Sequence, residues 1–323
     1  MESSFVLPDS LAADVDAYRL RKIDKVDDVL RQLPDTDEFP WGDLALDDEP
    51  LRYALVHHVF EAVSRAAAYG DAELVTAAMR LRTSQDGLYP LAAASGPVLV
   101  AHPNKALFTE DAALAEAPVA IVSPSVCDSA SVAERDLVSR ALATAIDAGF
   151  GSTVRRNSRV VVLIAERMPT DTTIRSWTTT ALPLTVHLDY FQEHWYVSRD
   201  LIHEAAHTEL NDLLATLDVT LSSDVSYYAP WLQTPRPLFG FLHGAWAFSH
   251  VALYSAWLAE ADAPPEVRAL SWAIYLKHAE QIHEARDDID SALALVPNRQ
   301  LAELIRLYRD LVLDGYLRTA GSA

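Results

Sequence analysis

The sequence predicts a predominantly helical α+β protein with a small sheet of about four short strands in the middle of the chain. Two observations carry this. Apolar residues recur at helical spacing before Gly87 and again after Ser198. Between them lie short β-branched runs bounded by Pro and Gly, the chemistry of strands. Two domain readings are open: a helical N-terminal region 1–90 packed on an α+β region 91–323, or one domain over 1–323.

In chain order, Asp9 or Ser10 is a candidate cap for a first helix to about Leu33, ended by Pro34. DEFPWGDLALDDEP reads as a turn-rich connector. LRYALVHHVFEAVSRAAAYG then has helical spacing and stops at Gly70, and another helix follows from Asp71. His57 and His58 point about 100° apart on that helix, so they read as core or surface histidines. Gly96–His102, Pro118–Pro124, Arg159–Arg167 and Leu182–Phe191 are the expected strands. A helix capped by Ser129 or Ser131 and ending at Gly149 separates the second from the third. In the fourth, alternation puts Val186 and Leu188 on one face and His187 and Asp189 on the other. Later helices are expected from Ser198 to about Thr216, Phe239 to Ala261, Pro264 past His283, and Arg299 to about Tyr316.

Lys and Arg total 26 against 46 Asp and Glu, a net charge of −20, which repels phosphate backbones and anionic membranes. Nucleic acid is therefore not an expected partner. Cys127 is the single cysteine, so no internal disulfide and no thiolate zinc site can form. The N-terminal stretch lacks a basic region followed by an apolar core, and no long apolar run occurs later. Neither a signal peptide nor a membrane span is read, and the cytoplasm is the expected compartment. A glycine-rich phosphate loop and a G-x-S-x-G elbow are both absent from the sequence.

The chemistry concentrates in LIHEAAHTELND and APWLQTPRPLFGFLHGAWAFSH. His203, Glu204 and His207 form an H-E-x-x-H pattern on a helical run. Four residues make slightly more than one turn, so the two imidazoles share a face and can hold one divalent metal. A third ligand is needed. The metzincin continuation is missing after His207, which leaves Asp218, Asp224, Glu260 and His243. His243 is favoured: it follows a rigid PRPLFG turn, and Gly244 leaves room beside it. Three histidines with open positions suit a hydrolytic zinc or a non-haem iron alike. Arg236 is a bidentate partner for a carboxylate, as a 2-oxo acid co-substrate requires.

HEAAH followed by YAPWLQTPRPLFGFLHGAWAF resembles the bacterial family of H-E-x-x-H-motif peptide-modification proteins, often associated with ribosomally made, post-translationally modified peptides (RiPP biosynthesis). The family's A-P-W-x-x-x-P-R-P-x-x-G element and following His-Gly pair fall on Ala229, Pro230, Trp231, Pro235, Arg236, Pro237, Gly240, His243 and Gly244, with Phe248 beyond. Upstream, IRSWTTTALPLTVHL is similar to the family's S-x-S-x-x-x-L-P-G stretch, with Leu184 where a Gly is usual. The resemblance implies an iron(II)- and 2-oxoglutarate-dependent dioxygenase, a β-hydroxylase of a peptide side chain. His203, His207 and His243 would hold Fe(II), and Arg236 would bind the 2-oxoglutarate carboxylate. Glu204 would be a supporting or proton-handling group, whereas in a zinc (Zn) peptidase it would be the general base. Trp231, Phe239, Trp246 and His187 are candidate substrate-pocket residues. The partner would be a peptide, with or without a leader. The alternatives are a zinc-dependent H-E-x-x-H metallopeptidase and a non-catalytic peptide-binding protein.

Overall fold

Helix formation at the start of the chain follows the spacing of its buried residues. Leu11, Val15, Arg19, Ile23, Asp27 and Leu30 recur every three or four positions along α1 (Asp9–Leu30). The expected cap is corrected: Asp9 is already helical, and Pro8 occupies the cap position with no side-chain hydrogen bond. In α2 (Glu49–Tyr69) the Asp48 carboxylate accepts the Leu51 N–H at 2.8 Å, and Gly70 closes the helix at φ +70° as expected. The computed structural model describes residues 5–32, 47–70, 72, 75, 76, 79, 88–90, 96–103, 122, 127–168 and 174–320. The connector before α2 lies outside the described residues up to residue 46. Of the expected helix from Asp71, residues 72, 75, 76 and 79 are described, and they are helical.

The chain is helix-rich α+β with a mixed sheet in its middle, as the sequence predicts. Three expected strands are present: β2 (Pro97–Pro103), β4 (Val160–Glu166) and β6 (Leu182–Tyr190), which run parallel to one another. The run Pro118–Pro124 lies outside the described residues except for Val122, which is in no strand. The sequence reading did not anticipate β1 (Leu88–Pro90), β3 (Cys127–Ser129) or β5 (Ser176–Thr179). All are antiparallel additions: β1 and β3 on β2, and β5 on β6, in the order β1-β2-β4-β6-β5. Every residue of β6 is buried, as a strand with a neighbour on either side and both faces covered requires.

The Ser131 hydroxyl accepts the Glu134 N–H, and the Glu134 carboxylate accepts the Ser131 N–H; this capping box starts α3 (Val132–Ala145). Gly149 breaks the helical path, as expected: its backbone leaves the helical region. At φ +92° it makes the kink, and a second short helix, α4 (Gly151–Asn157), starts beyond it. On the sheet, Ile23, Leu30, Leu55 and Val59 of α1 and α2 pack with Val162 and Leu184. His58 belongs to this core: its Nδ1 accepts the Val122 N–H at 3.0 Å, so Nε2 donates to the Thr185 hydroxyl at 2.9 Å.

The chain divides into two compact units, Met1–Thr208 and Glu209–Ala323, the division falling within α5 (His194–Thr216). The second unit contains a two-stranded hairpin of β7 (Ser226–Ala229) and β8 (Thr234–Pro237). Its helices are α6 (Leu238–Glu260), α7 (Pro265–Glu284), α8 (Arg286–Leu293) and α9 (Arg299–Ala320). All seven residues from Phe241 to Ala247 are buried, so α6 is covered on every side, with α7, α8, α9 and the hairpin packed on it. No helix of the described residues is long and apolar enough to cross a membrane.

Candidate functional site

In the first unit, α5 brings His203 and His207 together. Their Nε2 atoms are 3.2 Å apart, with ring planes at 87°. Zinc–imidazole bonds of about 2.0–2.1 Å at angles between 90° and the tetrahedral value place two ligand nitrogens about 2.8–3.4 Å apart. The observed separation falls in that window. It equally fits an N–H···N hydrogen bond between neutral rings. Burial pushes the half-buried His207 down to about 4, so its imidazole stays neutral and keeps the lone pair that a metal needs.

Glu204 lies one helical step away and is turned inward, 2% exposed. The Ser176 hydroxyl donates to its Oε1 at 2.7 Å. Burial pushes the carboxyl up to about 8, against the Ser176 bond and a hydrogen bond from the Thr178 backbone. Its Oε1 is 3.9 Å from His203 Nε2. The Thr178 hydroxyl donates to the Thr185 carbonyl at 3.1 Å and lies 3.1 Å from the Thr208 hydroxyl, which therefore supplies the hydrogen of that second contact. Neither Ser176 nor Thr178 was a candidate from the sequence. The signal was there: both belong to the SWTTTALPL stretch that resembles S-x-S-x-x-x-L-P-G.

Leu184 stands in that stretch where the family pattern has Gly. Its φ is +55°, a conformation that glycine adopts freely and other residues adopt at a cost. The backbone at this position thus has the shape that glycine adopts most freely. His187 is fully buried and stacked on its cross-strand partner Trp177 with ring centroids 5.2 Å apart. That position is packed rather than open. Asp189, also fully buried, accepts from Arg175 Nε at 3.1 Å and forms an ion pair with Arg167, whose Nε lies 3.0 Å away.

In the second unit, the hairpin pairs Tyr227 with Arg236 and turns at Pro230–Gln233, where Gln233 has φ +54°. The exposed Arg236 lays its guanidinium over Gly240, where an added Cβ would come within 3.1 Å of Nε. Trp231 covers Gly244 so closely that a Cβ there would overlap the indole, and it stacks on Phe241 at 5.4 Å. The two glycines, one turn apart, let hairpin side chains lie directly on α6. His243, between them, is 8% exposed and 4.1 Å from the ring of Phe239, which is itself 45% exposed. Trp246 is fully buried against His250 and Tyr308, so packing accounts for it in place of the expected pocket wall. Of the other third-ligand candidates, Asp218 sits in the turn after α5 at φ +50°, Asp224 hydrogen-bonds Ser222, and Glu260 ends α6.

The described residues of the first unit thus bring together His203, Glu204 and His207, and those of the second bring Arg236 and His243 to the first turns of α6. Among the described residues, no group of three or more His, Cys, Asp or Glu side chains is arranged to hold a metal ion. The His203–His207 pair fits two adjacent positions of a metal's ligand set. No protein-family model matches the chain, and no curated protein matches it.

Proposed function

We propose that this chain is a cytoplasmic iron(II)- and 2-oxoglutarate-dependent hydroxylase acting on a side-chain β-carbon of a ribosomally made peptide. The observation that carries the reading is the 3.2 Å approach of the His203 and His207 Nε2 atoms on one helix face, beside a buried, hydrogen-bonded Glu204. His203 and His207 would hold the metal, with His243 as the third ligand on the strength of the sequence motif that contains it. When bound, iron(II) supplies the redox chemistry by which dioxygen converts 2-oxoglutarate to succinate and carbon dioxide and places one oxygen atom on the substrate carbon.

The protein's own groups position and shield. Arg236 offers paired N–H donors to the distal carboxylate of the co-substrate, and Gly240 beneath it leaves the guanidinium room. Phe239, next to His243 and 45% exposed, would offer an aromatic face to the peptide. Glu204 is committed to Ser176 and the Thr178 backbone, which supports a supporting role over that of a base on water. The zinc peptidase is the rival to be separated by experiment. The test is metal analysis after anaerobic purification, with succinate release from 2-oxoglutarate measured under oxygen. Iron at stoichiometric occupancy and oxygen-dependent succinate are expected, both lost in His203→Ala. Zinc at full occupancy with no oxygen-dependent turnover overturns the proposal.

A further inference from the structure

We propose that Ser176 and Thr178 are positioning residues that lock the rotation of α5 and so hold His203 and His207 in register. This inference rests on the metal-site reading of the histidine pair. Ser176 and Thr178 are two apart on β5, so their side chains leave the same face of the strand. Glu204 and Thr208 are four apart on α5 and share a face of the helix. Two strand residues advance about 6.6–6.8 Å and four helical residues about 6.0 Å, so strand and helix present matching groups one turn apart. The contacts follow that match: Ser176 donates to Glu204 at 2.7 Å, and the Thr178 and Thr208 hydroxyls meet at 3.1 Å.

Each anchored residue is one position, about 100° of helix, beyond a histidine. One anchor would let the helix pivot about it. Two anchors a turn apart fix its rotation, and with it the direction in which both imidazoles leave the backbone. The strand is itself pinned. Arg175, immediately before it, donates to Asp189 through Nε at 3.1 Å, and the Asp189 N–H donates to the Arg175 carbonyl at 2.8 Å. Thr178 is tied to β6 through the Thr185 carbonyl. Asp189 is fully buried, and its pairing with Arg175 and Arg167 gives the strand a fixed origin. A buried carboxylate between two guanidiniums adds little net stability, and here its service is geometric.

The experiment is cobalt(II) titration of the full chain, followed by calorimetry and by the ligand-field absorption band, with thermal melting as the folding control. Wild type should bind one cobalt, and His203→Ala should abolish it. Ser176→Ala and Thr178→Val should melt cooperatively yet bind cobalt at least about tenfold more weakly with an altered band. Ser176→Thr and Thr178→Ser, which keep the hydroxyl, should recover wild-type affinity and band. Wild-type affinity and band in both hydroxyl-deletion variants would overturn the positioning role while leaving the metal reading intact. Failure of wild type to bind cobalt would overturn the metal reading and the role with it. Should both variants fail to fold while His203→Ala folds, the two hydroxyls serve stability alone, and the inference is again overturned.

Discussion

Leu184 offers a measurement in which the backbone and the side chain can be separated. It is fully buried in the sheet core, and its φ is +55°. Truncation to Ala should cost about 3–5 kcal/mol through lost burial and the cavity left behind. Truncation to Gly loses about 0.8 kcal/mol more for the last carbon and about 0.5–1 kcal/mol for chain freedom. It also relieves the left-handed penalty of about 1–2 kcal/mol that Leu and Ala both carry. Gly and Ala at 184 should therefore be nearly equal in stability. Leu188, equally buried on the same strand and outside the left-handed region, is the control. There Gly should be less stable than Ala by about 1.3–1.8 kcal/mol, the sum of the first two costs alone. Urea unfolding of the four variants measures the double difference, expected at about 1–2 kcal/mol. An equal Gly–Ala gap at both positions would refute the account of Leu184 as a strained substitute for glycine.

Two further outcomes follow from packing and titration. Gly244→Ala drives a Cβ into the Trp231 indole, and should cost about 1–3 kcal/mol by overpacking and change the near-ultraviolet circular dichroism. An unchanged melting point and spectrum would mean that Trp231 does not rest on α6. His58 titrates near 6.5 when unfolded, and burial pushes it down to about 3 in the fold. Between those values the unfolded chain binds more protons. The stability that His58 contributes is thus complete above about pH 6.5 and drains away as pH falls toward 3. His58→Gln should flatten the fall in urea midpoint between pH 6.5 and 4.5, although it lowers stability at neutral pH; an unaltered slope would refute the neutral, buried assignment.

Much of the helical frame could be read from the sequence because its signals are local. Gly70 closes α2 in the left-handed conformation, the Ser131–Glu134 box starts α3, and the i, i+4 relation of His203 and His207 holds on α5. What was not legible depends on contacts distant in sequence. SWTT is too short and polar to announce a strand, yet pairing with β6 makes it one and aims Ser176 at Glu204, 28 residues away. Gly149 carries the mark of a helix stop and breaks the helix at φ +92°, but GSTVRRN beyond it is too short and polar to announce the helix it forms. Trp246 and His187 are amphipathic enough to suit a pocket wall, and only tertiary packing reveals that both are fully buried. In α6 the apolar residues run around the whole circumference, so no face of the pattern distinguishes core from site.

That all-round burial has a consequence for how the protein must be made. As the ribosome extends the chain, α6 emerges with Phe241, Trp246 and Tyr254 before α7, α8 and α9, which pack on it, have been synthesised. For the time needed to add the residues up to Ala320, a greasy rod with no polar side is exposed to whatever surrounds it, the condition under which nascent chains aggregate or recruit chaperones. The same dependence makes the second unit intolerant of premature termination. A chain ending at Glu260 would keep every residue of the H-E-x-x-H helix and of the Arg236–His243 element, yet would lack the three helices that cover α6. Nonsense changes in the last sixty or so codons should therefore be lost through insolubility rather than through any defect in the residues assigned to chemistry.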